Sequence, residues 1–243
     1  MIFTLADDPQ SLAQGLADRF CLEAQAAQGR GQRLAIALSG GSTPTLFYQE
    51  LGRRSAHIPW AVLDIYFSDE RAVPPDHPDS NFGHAHALWL RYAPPRTPIY
   101  RIPGEQGAET AAREYAHILA AQLGPARGFD IVFLGLGPDG HTASLFPGMD
   151  LTAKSPVVAV PATADRSSRI SLSLAALVAA RTRIVLVQGA AKAKPLSQAL
   201  EPGAQTPIAA LWRQAPVEWW LDRAAAQGLC PRVAAARNDD GDC

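Results

Sequence analysis

Two hydrophobic rhythms alternate along this chain. Some stretches place apolar residues every three to four positions, as amphipathic helices do, and others are short β-rich runs that end in Gly, Ser or Asp. Ile2–Leu5 is the first such run. Asp8 and Pro9 then suit the cap and first turn of a helix whose Leu12, Leu16 and Phe20 share a face. Arg33–Leu38 and Val62–Phe67 read as strands, Glu105–Leu123 as a helix with Tyr115, Leu119 and Leu123 a turn apart, and Phe129–Leu134 as a strongly apolar strand. Val157–Val160, Ile170–Leu174, Arg183–Val187 and Val217–Leu221 are further strand candidates, and Ala191–Leu200 is helical. Strands apolar on both faces and alternating with helices predict an α/β fold: a doubly wound, mostly parallel sheet with helices on both faces. No Ser- or Gly-rich linker divides the chain and no segment repeats, so a single domain over residues 1–233 is expected. Residues 234–243 lose the apolar rhythm, gather charge and are expected to form a disordered tail.

Composition narrows the partners. A chain of 243 residues can bury a core without metal or disulfide support. Its 22 basic and 23 acidic residues nearly cancel, which argues against a nucleic-acid or membrane partner. Cys21, Cys230 and Cys243 are odd in number and far apart, as in a reducing compartment. The first residues carry Asp7 and Asp8 and no basic leader, and no apolar run approaches the roughly 18 residues of a membrane span. A cytoplasmic protein, monomeric rather than assembled, is expected.

Ligands of doubly wound sheets sit beyond the carboxyl ends of the strands, and here those positions are polar. After Leu38 comes Ser39-Gly40-Gly41-Ser42-Thr43-Pro44. Its glycines permit a tight turn, Thr43 suits a helix cap, Pro44 suits the first helical position, and free backbone N–H groups favour a phosphate. The spacing and lysine of a Walker A loop are missing. After Phe67 comes Ser68-Asp69-Glu70-Arg71, where two carboxylates and a guanidinium either orient sugar hydroxyls and answer developing negative charge, or form a surface ion pair. After Leu134 comes Gly135-Leu136-Gly137-Pro138-Asp139-Gly140-His141-Thr142-Ala143-Ser144. It contains GxGxxG, but Pro138 lies inside the turn and no acidic residue ends the next strand candidate, which argues against a dinucleotide. What remains is an Asp and a His two residues apart at the sheet's rim, an arrangement suited to proton transfer near neutral pH. Arg166, Arg169, Lys192 and Lys194 lie beside later strands that could converge on the same rim, either as added cations for a phosphate or as solvated surface charge. His77, His84 and His86 do not make a metal site, because His-x-His on a helix points its rings to different faces.

Taken together, LSGGSTP (Leu38–Pro44), SDERAVPPDHPDSNFG (Ser68–Gly83), LGLGPDGHTASLFPG (Leu134–Gly148), SRISLSLAAL (Ser168–Leu177) and QGAAKA (Gln188–Ala193) resemble the 6-phosphogluconolactonase family, which is related to the glucosamine-6-phosphate deaminases. The resemblance runs from about Leu38 to Leu221. It departs from the family pattern at Gly83–His86 and at Ala190-Ala191. It implies that His141 is the catalytic base with Asp139 beside it, and that Asp69 and Arg71 line the sugar pocket. It implies phosphate contacts from Gly40, Gly41, Ser42, Thr43, Arg169 and Lys192. The implied substrate is a sugar-phosphate lactone, 6-phospho-D-glucono-1,5-lactone, opened in the pentose phosphate or Entner–Doudoroff pathway. Water activated by His141 would attack the carbonyl, and Arg71 or glycine-loop amides would hold the oxyanion. No metal or organic cofactor is implied. Ser144 lacks a GxSxG elbow and reads as structural.

Two alternatives remain. In the deaminase branch a Glu follows the Asp-Gly-His loop by a few residues, whereas here no carboxylate appears before Asp150. A non-catalytic sugar-phosphate-binding module would not call for an Asp-Gly-His loop beside a phosphate turn.

Overall fold

The computed structural model describes residues 1–124 and 128–229. The expected tail at 234–243 lies outside the described residues, as do Cys230 and Cys243. Five strands, β1 (Ile2–Ala6), β2 (Leu34–Leu38), β3 (Leu63–Phe67), β5 (Ile131–Gly135) and β8 (Thr182–Val187), join the later β9 (Glu218–Asp222) in a six-stranded sheet of order β1-β9-β8-β5-β2-β3. Every pairing in it is parallel. Three short strands, β4 (Asp69–Arg71), β6 (Val157–Val160) and β7 (Arg169–Leu172), form a separate antiparallel sheet of order β4-β7-β6.

All residues of β2 and β3 are buried, as a sheet covered on both faces requires. Helices α1 (Pro9–Gly29), α2 (Thr45–Arg53), α3 (Asn81–Leu88) and α4 (Ala108–Gln122) lie in the first half. Helices α5 (Leu174–Val178), α6 (Ala193–Ala199), α7 (Pro207–Gln214) and α8 (Arg223–Ala226) follow. Helix α1 starts as its sequence predicts: Asp8 accepts from Ser11 N at 2.7 Å and Pro9 opens the first turn. Its Leu12, Leu16 and Phe20 are buried, and Phe20 meets Phe47 and Trp89 edge-on.

The differences from expectation are local and have physical causes. Val157–Val160 and the segment from Arg169 are strands, but they pair antiparallel with Asp69–Arg71 outside the parallel sheet. Leu174, expected to end a strand, begins α5, because Ser173 caps that helix through Ala176 N. Thr43 does not cap α2: the helix begins at Thr45 behind Pro44, with no side-chain cap. The helix expected over Glu105–Leu123 is a 3-10 turn at Gly104–Gln106, a break at Gly107 with φ +82°, and then α4.

The strand order positions the site. The chain steps from β2 outward to β3, then returns to place β5 on the other side of β2 and continues outward to β8. The reversal leaves a crevice at the carboxyl ends of β2 and β5, where sheets of this kind bind ligands.

Candidate active site

Segments from several strand ends meet in that crevice. A cavity of about 240 Å³ is lined by Ser39–Thr43 after β2, by Asp69 and Arg71 of β4 and by Gly135–Pro138 after β5. His141, Ala143, Arg169 and Lys192 complete its wall. Of the residues to which the resemblance assigns a catalytic or binding role, all line this space except Asp139, which stands behind His141, whereas Glu70, Arg166 and Lys194 are not on its wall. The amides of Gly40, Gly41 and Ser42 take no hydrogen-bond partner among the described residues, so the turn offers N–H groups to the cavity. Gly40 must be glycine: a Cβ there would lie 1.8 Å from the Asn81 side-chain oxygen.

The Asp139 carboxylate is 2.5 Å from His141 Nδ1 and also accepts from the His141 backbone N–H at 3.2 Å. Burial works against the charged Asp139, but His141 outweighs it through charge and hydrogen bonds and holds the carboxyl below its usual pKa. A carboxylate only accepts, so Nδ1 carries the proton and a neutral imidazole keeps its lone pair on Nε2. The loop that aims this ring is closed by its own backbone, with Gly137 N donating to His141 O at 2.8 Å and Gly140 N to Gly137 O at 3.1 Å. Gly140 has φ +80°, and a Cβ on it would meet Thr206 at 2.5 Å. Ala143, on the cavity wall, holds φ +48°, a strained value for a residue with a Cβ.

Asp69 is buried. Ser144 Oγ donates to its Oδ2 at 2.6 Å and Asn81 Nδ2 to its carbonyl at 2.9 Å, so Ser144 is occupied in holding a carboxylate, as expected of a structural serine. Glu70 points away from the cavity and accepts from Arg71 N, Asn81 N, Phe82 N and Ser80 Oγ. Burial raises its pKa against the pull of those amides. Lys192 donates from Nζ to Leu136 O at 2.7 Å, and burial lowers its pKa more than nearby Asp139 raises it. The turn before Lys192 is fixed by buried Asp222, which accepts from Gly189 N at 2.9 Å and caps α8 through Ala225 N at 2.7 Å.

Asp222, Asn81 and Phe146 were not read from the sequence as parts of the site. Asp222 directly follows the strand candidate Val217–Leu221, a strand-end position where it could have been found. Phe146 packs against His141 with ring centres 4.5 Å apart, a contact no spacing reveals. His77, His84 and His86 line a separate surface depression. Among the described residues no group of three or more His, Cys, Asp or Glu could hold a metal ion, and no helix is long and apolar enough to cross a membrane.

A parallel α/β sheet with a glycine turn of unpaired amides, an Asp–His pair and three cations around one small cavity has the makings of an enzyme site for a small anionic substrate. Comparison with known proteins narrows the class. Residues 7–220 match the family described as glucosamine-6-phosphate isomerases/6-phosphogluconolactonase. A 6-phosphogluconolactonase of Synechocystis is 35% identical over 218 residues, covering 86% of this chain and 89% of that protein. A human 6-phosphogluconolactonase is 36% identical over 231 residues, covering 90% and 88%. The solved 6-phosphogluconolactonase of Trypanosoma brucei superposes with a TM-score of 0.82 at 29% identity, covering 94% of this chain and 98% of that one. The chain belongs to the glucosamine-6-phosphate isomerase/6-phosphogluconolactonase family, on its 6-phosphogluconolactonase side.

Proposed function

We propose that this protein hydrolyses 6-phospho-D-glucono-1,5-lactone to 6-phosphogluconate, with His141 as general base toward water. The observation that carries the mechanism is the 2.5 Å contact of Asp139 with Nδ1 of an imidazole that lines the cavity. Nε2 takes a proton from water as its oxygen bonds to the lactone carbonyl carbon. The tetrahedral oxyanion then collapses, the bond from carbonyl carbon to ring oxygen breaks, and the imidazolium returns its proton to that oxygen. No covalent intermediate is needed.

Arg71 is the favoured oxyanion partner, because the amides of Gly137 and Gly140 are already used inside the loop. Arg71 Nη1 is anchored on Asp79 O at 2.8 Å, while its Nε has no partner. The phosphate then falls to the Gly40–Thr43 turn with Arg169 and Lys192. Over the deaminase alternative, lactone hydrolysis is favoured by the stretch after His141. Its first carboxylate, Asp150, turns back to Thr152 N and Oγ1 at 2.9 and 2.6 Å.

Purified protein is expected to open the phosphorylated lactone far faster than the spontaneous reaction and far faster than plain gluconolactone. His141→Ala should remove most of that acceleration, by about a hundredfold or more. Retention of full activity by the variant would place the base elsewhere.

A further inference from the structure

Neither the strand-end motifs nor the family resemblance gives Arg166 a role. It closes a tight turn after β6, where Thr163 N donates to Arg166 O at 2.8 Å, three residues before Arg169 opens β7. Its guanidinium carbon lies 3.6 Å from the centre of the Phe146 ring, and that of Arg169 lies 5.7 Å from the same ring. In β4 and β7, Arg71 stands directly opposite Arg169. Arg71 and Arg169 line the cavity, and Arg166 stands next to them, stacked on the Phe146 ring that packs against His141.

Like charges facing each other across strands are destabilising. Burial first, then Arg71, and also Arg166 weaken the hold of Arg169 on its proton, with Asp69 and Asp79 opposing. Yet none of the ion pairs among the described residues involves Arg71, Arg166 or Arg169. In each of the three, Nε is shut off from solvent and has no hydrogen-bond partner. Stacking on Phe146 explains where Arg166 rests but satisfies none of its donors, and buried donors are rarely left unpaired without cause.

We propose that Arg166 is a specificity-determining residue, a further guanidinium that joins Arg169 on the dianionic phosphate of the substrate. The planar fork suits phosphate oxygens, and the incoming dianion supplies the counter-charge the cluster lacks. The inference rests on the lactonase reading given above.

The test compares kcat/KM for phosphorylated and plain glucono-δ-lactone in the wild type, Arg166→Gln and Arg166→Lys. Loss of one charge-assisted contact should lower the ratio of the two values about tenfold in the Gln variant, mainly through KM, with partial recovery in the Lys variant. If Arg166 merely braces Phe146 and His141, both values fall together and the ratio stays, which overturns the proposal. If the wild type hydrolyses neither lactone, the lactonase reading itself fails. Calorimetric titration with inorganic phosphate then decides the role of Arg166: weaker binding by the Gln variant supports it and equal binding overturns it.

Discussion

Gly137 has no side chain because the His141 ring occupies the place of one: a Cβ there would lie 2.1 Å from Nδ1. Gly137→Ala should therefore push the imidazole off its line to Asp139. Displacement of a reacting group by about 1 Å costs about a hundredfold in rate, so kcat/KM should fall by about that factor. The ring is partly solvent-exposed and can be displaced toward solvent without opening the core, so the thermal midpoint should change little. Steady-state kinetics beside circular-dichroism melting would separate the two effects, and an active variant would mean that the ring tolerates another orientation. At this scale the sequence was legible wherever chemistry names a residue type. A His and an Asp in a glycine loop at a strand end could be singled out from their types alone, and Arg169 and Lys192, chosen through the family resemblance, line the same cavity as that His. The packing of Phe146 against His141, and the reason position 137 is glycine, depend on rotamers and contacts that spacing does not encode.

Among the elements, β4 brings Asp69 and Arg71 to the cavity wall and left the weakest trace in the pattern. Three residues are too few to show a period of two, so Asp69–Arg71 read as a strand-end loop. Its antiparallel partner β7 was read as a strand, but nothing in an apolar run states which sheet it will join. The anchor of β4 is Glu70, whose two oxygens accept from three backbone N–H groups and one hydroxyl around the start of α3. In Glu70→Gln an amide NH2 must face donors, leaving buried N–H groups unpaired. Stability to urea should drop by about 2 kcal/mol. Because Asn81 joins the start of α3 to the Asp69 carbonyl, kcat/KM should fall too, even at denaturant-free stability sufficient for full folding. Equal urea midpoints for the two proteins would show that α3 starts without this acceptor.

For the whole molecule, the near-zero formal charge of −1 conceals a local field. The order of the parallel strands brings the ends of β2, β5 and β8 to one rim, and the small sheet adds β4 and β7. Arg71, Arg169 and Lys192 thereby face the same cavity as Asp69, so cations outnumber carboxylates on its wall. Alternating rhythms along the chain foretold the α/β class, and the cavity opens at the strand-end rim where a ligand was expected, while the strand order that concentrates the charge is a property of the completed sheet. Such a concave cationic site draws anions over a distance set by salt. Screening contracts from about 10 Å at 0.1 M to about 3 Å at 1 M ionic strength. Added sodium chloride over that range should raise KM for the phosphorylated lactone several-fold and leave KM for the uncharged lactone much less affected, because only the first carries a dianion to the rim. Parallel salt dependence of the two substrates would mean that the cations at 71, 169 and 192 serve the fold rather than the phosphate. Divergence would tie the field made by strand order to the recognition step.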